Sequence, residues 1–162
     1  MLVFDRIEMA LLSCERHLQV LKKAEIETAD IERYLVAGLV VLIVSEYEEY
    51  LERIFRGRAD KCGDGHVANF IKVSISQKFR SPDLSKINET LKRFDQSCLE
   101  SFSAEIENSK THAAWDSIMK ARHAVVHKKG LLNLTFRELQ EKYLDSKGVM
   151  QNVQVALGLD GI

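Results

Sequence analysis

The chain has 162 residues, 46% of them hydrophobic and 29% charged, with a formal net charge of −1 and a sequence pI near 6.5. That composition is enough for one domain with a sizeable core, and it carries no signature of disorder. A near-neutral balance also excludes binding to nucleic acid through bulk charge, so any such contact must be local. One Pro and eight Gly, with few alternating β-branched runs, predict an all-α chain. We expect a single-domain bundle over residues 1–162, with about five to seven helices around a long apolar second helix. The cysteines Cys14, Cys62 and Cys98 are odd in number and scattered, which fits reduced thiols in a cytoplasm better than a disulfide framework. Asp5, Arg6 and Glu8 interrupt the first apolar stretch, so a secretory leader is not expected.

Residues 4–24 carry Ile7, Leu11, Leu18 and Leu21 at helical spacing and predict the first helix. His17, set among charges there, reads as an ordinary surface residue. Thr28 is the expected N-cap of a second helix running from about Ala29 to Phe55. Every residue from Tyr34 to Val44 is apolar or Gly, which predicts a core helix contacted on all sides. The run falls well short of the roughly 20 residues of a membrane span, so no membrane partner is expected. Glu48 lies in line with Val41, Val44, Leu51 and Phe55, where an acid is out of place on an apolar face. Either it pairs with Arg122 or Arg53 and positions that Arg, or it is a partly exposed carboxylate at the edge of the bundle. Glu49 and Arg53 form an ordinary i,i+4 pair.

Gly57 to Gly65 is rich in turn residues and reads as a connecting loop, without the ending of a phosphate-binding loop. Cys62 and His66 have no second pair of ligands at zinc spacing, so neither a metal nor another cofactor is expected. His66 to Phe79 fits a helix, although Val73 to Ser76 also fits a short strand. Ser81 as N-cap and Pro82 at the first helical position would open the next helix, which turns Leu84, Ile87, Leu91 and Phe94 inward. Residues 97–107 form a short helix, and Thr111 is the expected cap of the one after it. Thr135 and Glu138 make a capping box for a final helix through Tyr143, followed by a last helical piece from Val149 to Leu157.

The stretch from Trp115 to Gly130 stands apart. Between Ser117 and Arg137 there are five Lys or Arg, two His and no acid, a local positive field able to gather an anion such as phosphate. On a helical wheel at about 100° per residue, Ala114, Ile118, Ala121 and Val125 form one apolar stripe, with Arg122 near its edge. A guanidinium in that half-buried place needs an acceptor partner. His123 and His127 share a polar face with Lys120, whereas Arg122 and His127 stand roughly 140° apart on a straight helix. Either the helix loosens before Gly130, or a second chain completes a shared site.

The run Arg122-His123-Ala124-Val125-Val126-His127 resembles the R-x(4–6)-H signature of HEPN domains, helical bundles that include many metal-independent ribonucleases. The order of segments is similar to the RiboL-PSP type of HEPN domain from about Ile31 to Leu157. Tyr47-Glu48-Glu49-Tyr50-Leu51 ends an apolar helix, Phe79-Arg80-Ser81-Pro82 follows, and then come the R…H helix and the Thr135-x-x-Glu138-Leu139 start. The chain departs from the pattern in His123, where Asn is usual, and in Lys128-Lys129 before the Gly. Of the family's Glu-x-x-x-Lys-Arg element, Glu48 and Arg53 are present and Glu52 stands in the Lys position.

The resemblance implies cleavage of single-stranded RNA by attack of the ribose 2′-hydroxyl, leaving a 2′,3′-cyclic phosphate and a 5′-hydroxyl. Histidine can move either proton near neutrality, and Arg presents a planar fork to phosphate oxygens. His127 would then transfer protons, Arg122 would hold the phosphate, and His123 would orient the substrate or His127. Lys120, Lys128 and Lys129 would follow the RNA backbone, with Lys78 and Arg80 on a flanking lid. The resemblance further implies a homodimer with a composite active site, and a toxin or defence effector with a partner antitoxin. A non-catalytic dimerisation module, or one that binds RNA or protein, is the alternative.

Overall fold

The computed structural model describes residues 4–76, 81–107, 109–127 and 132–159. Among them are seven helices and no strand: α1 (Asp5–Lys23), α2 (Ala29–Asp60), α3 (Gly65–Ser76), α4 (Leu84–Phe94), α5 (Gln96–Ile106), α6 (Lys110–His127) and α7 (Phe136–Ala156). The all-α expectation holds. None of these helices is long and apolar enough to cross a membrane.

α2 is the axis of the bundle, packed against α1, α3, α6 and α7, while α4 and α5 pair with each other and α5 closes on α7. Its buried side runs through Val36, Val40, Ile43, Tyr47, Leu51 and Phe55, three or four residues apart as an apolar stripe must be. Tyr47 is the centre. Its ring stacks on Trp115 at 4.9 Å and 4°, and Phe4 and Tyr143 lie 5.6 Å and 6.5 Å away. Its hydroxyl is paired with Ser146 Oγ at 2.6 Å, which satisfies a polar atom that burial would otherwise strand. Burial pushes the Tyr47 hydroxyl far above its usual titration range, so it is neutral at any working pH.

Several local expectations give way in the structure. α2 runs past Phe55 to Asp60, taking in Gly57, because Ala59 is buried and Asp60 pairs with Lys72 of α3. The connecting loop shrinks to residues 61–64, and Asp64 caps α3 by accepting the His66 and Val67 amides at 2.8 Å and 3.2 Å. The strand alternative at Val73 to Ser76 fails, since Ser74 and Ser76 bond back to the Phe70 and Val73 carbonyls within a helical turn. Thr28 makes no capping bond, and the Glu27 carboxylate takes the Ala29 amide at 3.1 Å in its place. Asp83, not Ser81, caps α4, and Ser109, not Thr111, accepts the His112 amide at the start of α6.

Nor is α2 covered on every side. Tyr34 is 76% exposed and Val41 39% exposed, so one face of its apolar run meets solvent. The capping box of Thr135 and Glu138 forms as expected, but α7 does not break after Tyr143. It continues through Gly148, where a Cβ would stand 2.9 Å from Thr111 Oγ1 of α6. The missing side chain is what lets these two helices approach.

α1 is fastened to α7 by a polar contact. Lys147, only 7% exposed at its side chain, donates to the Glu8 carboxylate at 2.6 Å, and the Tyr143 hydroxyl donates to the same oxygen at 3.3 Å. The Lys147 hydrogen bond, helped by its charge, holds the Glu8 carboxyl below its usual range. A depressed folded-state pKa stabilises the fold above the ordinary carboxylate range and loses that contribution as pH falls through the folded value. Glu8→Gln should therefore lower stability by about 1–2 kcal/mol at neutral pH, discounted for the exposure of Glu8. In urea melts the gap between variant and native should close as pH drops below about 4. Gly148→Ala should destabilise even though Ala is the better helix former by about 1 kcal/mol. Combining it with Thr111→Ala should recover the loss in a double-mutant cycle read by thermal melting.

Candidate functional site

The basic stretch begins on a rigid base. Trp115 is fully buried, stacked on Tyr47, and its indole N–H donates to the Pro82 carbonyl at 2.9 Å. That bond ties α6 to the segment leading into α4. Ser81 in the same segment has φ of +53°, a left-handed conformation uncommon for a residue with a side chain. Three contacts hold it there: its amide donates to the Glu48 carboxylate at 2.6 Å, and its carbonyl accepts from Lys86 Nζ at 3.0 Å and from the Asp83 amide at 2.9 Å. α2, α4 and α6 thus converge on residues 81–83.

An open recess of about 430 Å³ lies between that segment and α6. Ser81, Asp83 and Lys86 form one wall, and Asp116, Lys120, Arg122 and His123 with Met119 form the other. The Asp116 carboxylate stands 3.8 Å from both His112 and Lys120, so its charge is shared along α6. Arg122 is half-buried, as the helical wheel predicts, and among the described residues no carboxylate pairs with it. It projects into the recess as a permanent cation beside Lys86, Lys120 and His123.

The structure sorts the predicted site residues. Arg122, His123 and Lys120 share the recess. His127 does not line it; it is exposed one turn further on, with its ring 4.7 Å from that of His123. α6 remains helical through His127, so no loosening within the described residues brings His127 round to Arg122. Glu48 pairs with neither proposed Arg. Arg53 turns to Glu49 at 3.7 Å and lies over the Tyr50 ring, while Glu48 is spent on the Ser81 amide. Its place is behind the wall of the recess. Lys78, Arg80, Lys128 and Lys129 fall outside the described residues.

Lys86, Asp83 and Asp116 are recess residues that sequence reasoning missed. Asp116 had a faint signal in its spacing of four from both His112 and Lys120. Lys86 had none, because only the fold brings α4 beside α6. Among the described residues no group of three His, Cys, Asp or Glu is placed to hold a metal ion. Beside its two carboxylates, Asp83 and Asp116, the recess offers the cations of Arg122, Lys86 and Lys120, with imidazoles at its edge. Such a set suits an anion with several oxygens.

Neither the curated proteins nor the solved structures gave a match to the chain. The profile of the RiboL-PSP-HEPN family matches residues 10–157, which takes in every helix that builds the recess. The chain belongs to the RiboL-PSP-HEPN family.

Proposed function

We propose that this protein is a metal-independent endoribonuclease that cuts single-stranded RNA. The observation that carries the reading is the half-buried Arg122, unpaired with any carboxylate among the described residues and open to a recess that also holds Lys86, Lys120 and His123. A guanidinium cannot shed its charge, so in that place it calls for an oxyanion. A phosphodiester supplies one. In the proposed reaction the 2′-oxygen of the ribose attacks phosphorus, a base removes its proton, the 5′-oxygen leaves, and an acid protonates it. The products are a 2′,3′-cyclic phosphate and a 5′-hydroxyl. Arg122 binds the non-bridging oxygens, where negative charge builds in the transition state. His127 transfers protons, and His123, in ring contact with it, orients it or the substrate.

In one chain His127 stands outside the recess, so the proton carrier and the phosphate clamp are joined when two chains face each other. The uncovered face of α2 supports such a pair. Tyr34, Gly38, Val41 and Ser45 follow one another at helical spacing and lead to Glu48, the residue that holds Ser81 at the recess. A second copy packed on that stripe would bring the two recesses together. Unchecked cleavage of cellular RNA would make the protein a toxin or defence effector, held in check by an antitoxin partner.

The test is incubation of the purified protein with single-stranded RNA in the presence of a chelator. The cyclic-phosphate product should form, and Arg122→Ala or His127→Ala should each lower the rate by about 10²–10⁴-fold with thermal stability unchanged. Undiminished product from His127→Ala would overturn the assignment and leave a binding module. Expression should slow the growth of the host, and either substitution should restore it. Tyr34→Glu should shift the protein from dimer to monomer in sedimentation velocity and reduce cleavage in step, since a charge has no place in a buried apolar face.

A further inference from the structure

The recess that holds Arg122 adjoins a second, open depression of about 490 Å³ further back along α6, and Asp116 and Lys120 line both. His112 lines the second as well, and its other residues, Ser109, Ala113 and Ser117, are small enough to leave room for a flat ring. From Asp116 to Arg122 is six residues of helix, or about 9 Å along the axis. An extended nucleotide covers that span from its phosphate to the far edge of its base.

Asp83 and Asp116 are the acids of a recess that otherwise collects cations. Asp83 is used by the fold: it caps α4, and its Oδ1 accepts the Lys86 amide at 2.8 Å. The Asp116 carboxylate accepts no hydrogen bond among the described residues. Its contacts are the two of 3.8 Å to His112 and Lys120, both longer than a hydrogen bond and both between side chains four apart on one helix. Such surface pairs contribute little to stability. The His112 and Asp116 side chains are 40% and 39% exposed, so the ring and the carboxylate are both open to a ligand.

A carboxylate puts two acceptors side by side, and the ammonium next to it adds a donor. Lys120 and Asp116 together present donor, acceptor, acceptor. Guanine carries the complement along its Watson–Crick edge, where O6 accepts while N1–H and the 2-amino group donate. Uracil matches at O4 and N3–H, then sets O2 against the carboxylate. Adenine and cytosine turn an amino group toward Lys120 and a bare ring nitrogen toward Asp116, so both are mismatched.

We infer that this depression is a guanine-reading site beside the bond held at Arg122. The inference rests on the ribonuclease reading for its strand, and on Asp116 and Lys120 alone for its choice of base. The base lies on the His112 ring, Asp116 takes N1–H and the amino group, and Lys120 donates to O6. Stacking holds any base, and the polar edge supplies the discrimination. A single strand leaves that edge free to be read.

The test measures binding by fluorescence anisotropy on oligo(A) strands that carry one central G, one central inosine or neither. These strands bear 2′-O-methyl groups, so that no 2′-hydroxyl can attack, and cleavage is followed in parallel on the same sequences as plain RNA. The strand with G should bind about tenfold more tightly than plain oligo(A), with inosine, which lacks only the 2-amino group, in between. Asp116→Asn should bring the three strands level while tightening all of them, because a negative charge is lost, so the readout is the ratio. Asp116→Glu, which keeps the two acceptors, should retain a preference for G. His112→Ala should weaken every strand about tenfold and leave the ratio in place. Equal affinity of the native protein for the three strands, or a preference for G that survives Asp116→Asn, would overturn the site. Cleavage without preference for strands that contain G would leave the ribonuclease standing and remove the site. Preference in binding without cleavage would do the reverse, and no binding of any strand would remove both.

Discussion

The stack of Trp115 on Tyr47 is the contact on which the rest of the molecule depends. It joins the two helices that matter most, α2 and α6, face to face at their buried sides, and burying two such rings contributes several kcal/mol by the usual area relation, about 25 cal/mol per Å². The polar ends of both rings are also used. Tyr47 reaches Ser146 on α7, and Trp115 reaches the Pro82 carbonyl ahead of α4. One pair of side chains therefore fixes four elements, and everything C-terminal to Trp115 on α6 inherits its direction from that anchor.

What this anchor positions is a deliberate imbalance of charge. Across the chain acids and bases nearly cancel, and on the exposed faces they pair in the ordinary way, as Arg137 does with Glu141 and Arg53 with Glu49. At the recess the pairing reaches Lys120, through Asp116, but not Arg122. Glu48 is held by the Ser81 amide, and although Asp83 and Asp116 line the same recess, no carboxylate among the described residues forms an ion pair with Arg122. The acid spent on backbone stabilises the left-handed Ser81 that shapes the wall. Surface ion pairs are worth little. A half-buried cation without one is informative.

The fold was largely legible in the sequence because its helices are amphipathic, and a 3.6-residue period can be read from residue types alone. All-α class, the seven-helix count at the upper end of the expected range, and the Thr135–Glu138 box follow from local pattern. Thr28 holds the N-cap position but its side chain makes no capping bond, while Asp83 and Ser109, two residues from Ser81 and Thr111, supply the caps there; Ser81 is turned to Glu48 instead. Likewise the loop expected from Gly57 and the gap expected between Tyr143 and Val149 are helical at Gly57 and Gly148, since Ala59, Lys147 and Val149 are buried and Gly148 gives α6 room to approach.

The candidate site divides in the same way. Sequence by itself determined the family pattern, the cluster of cations, and the half-buried setting of Arg122, because all three are properties of one helix and its neighbours along the chain. Only the tertiary structure decided which of those residues meet. It set Arg122 and His123 in one recess with Lys86 from another helix, left His127 a turn beyond it, and gave Glu48 to Ser81. The physical reason is that a helical period fixes the direction of a side chain about its own axis. What stands opposite it depends on how other helices pack, and that is settled by the aromatic contacts at the centre of the bundle.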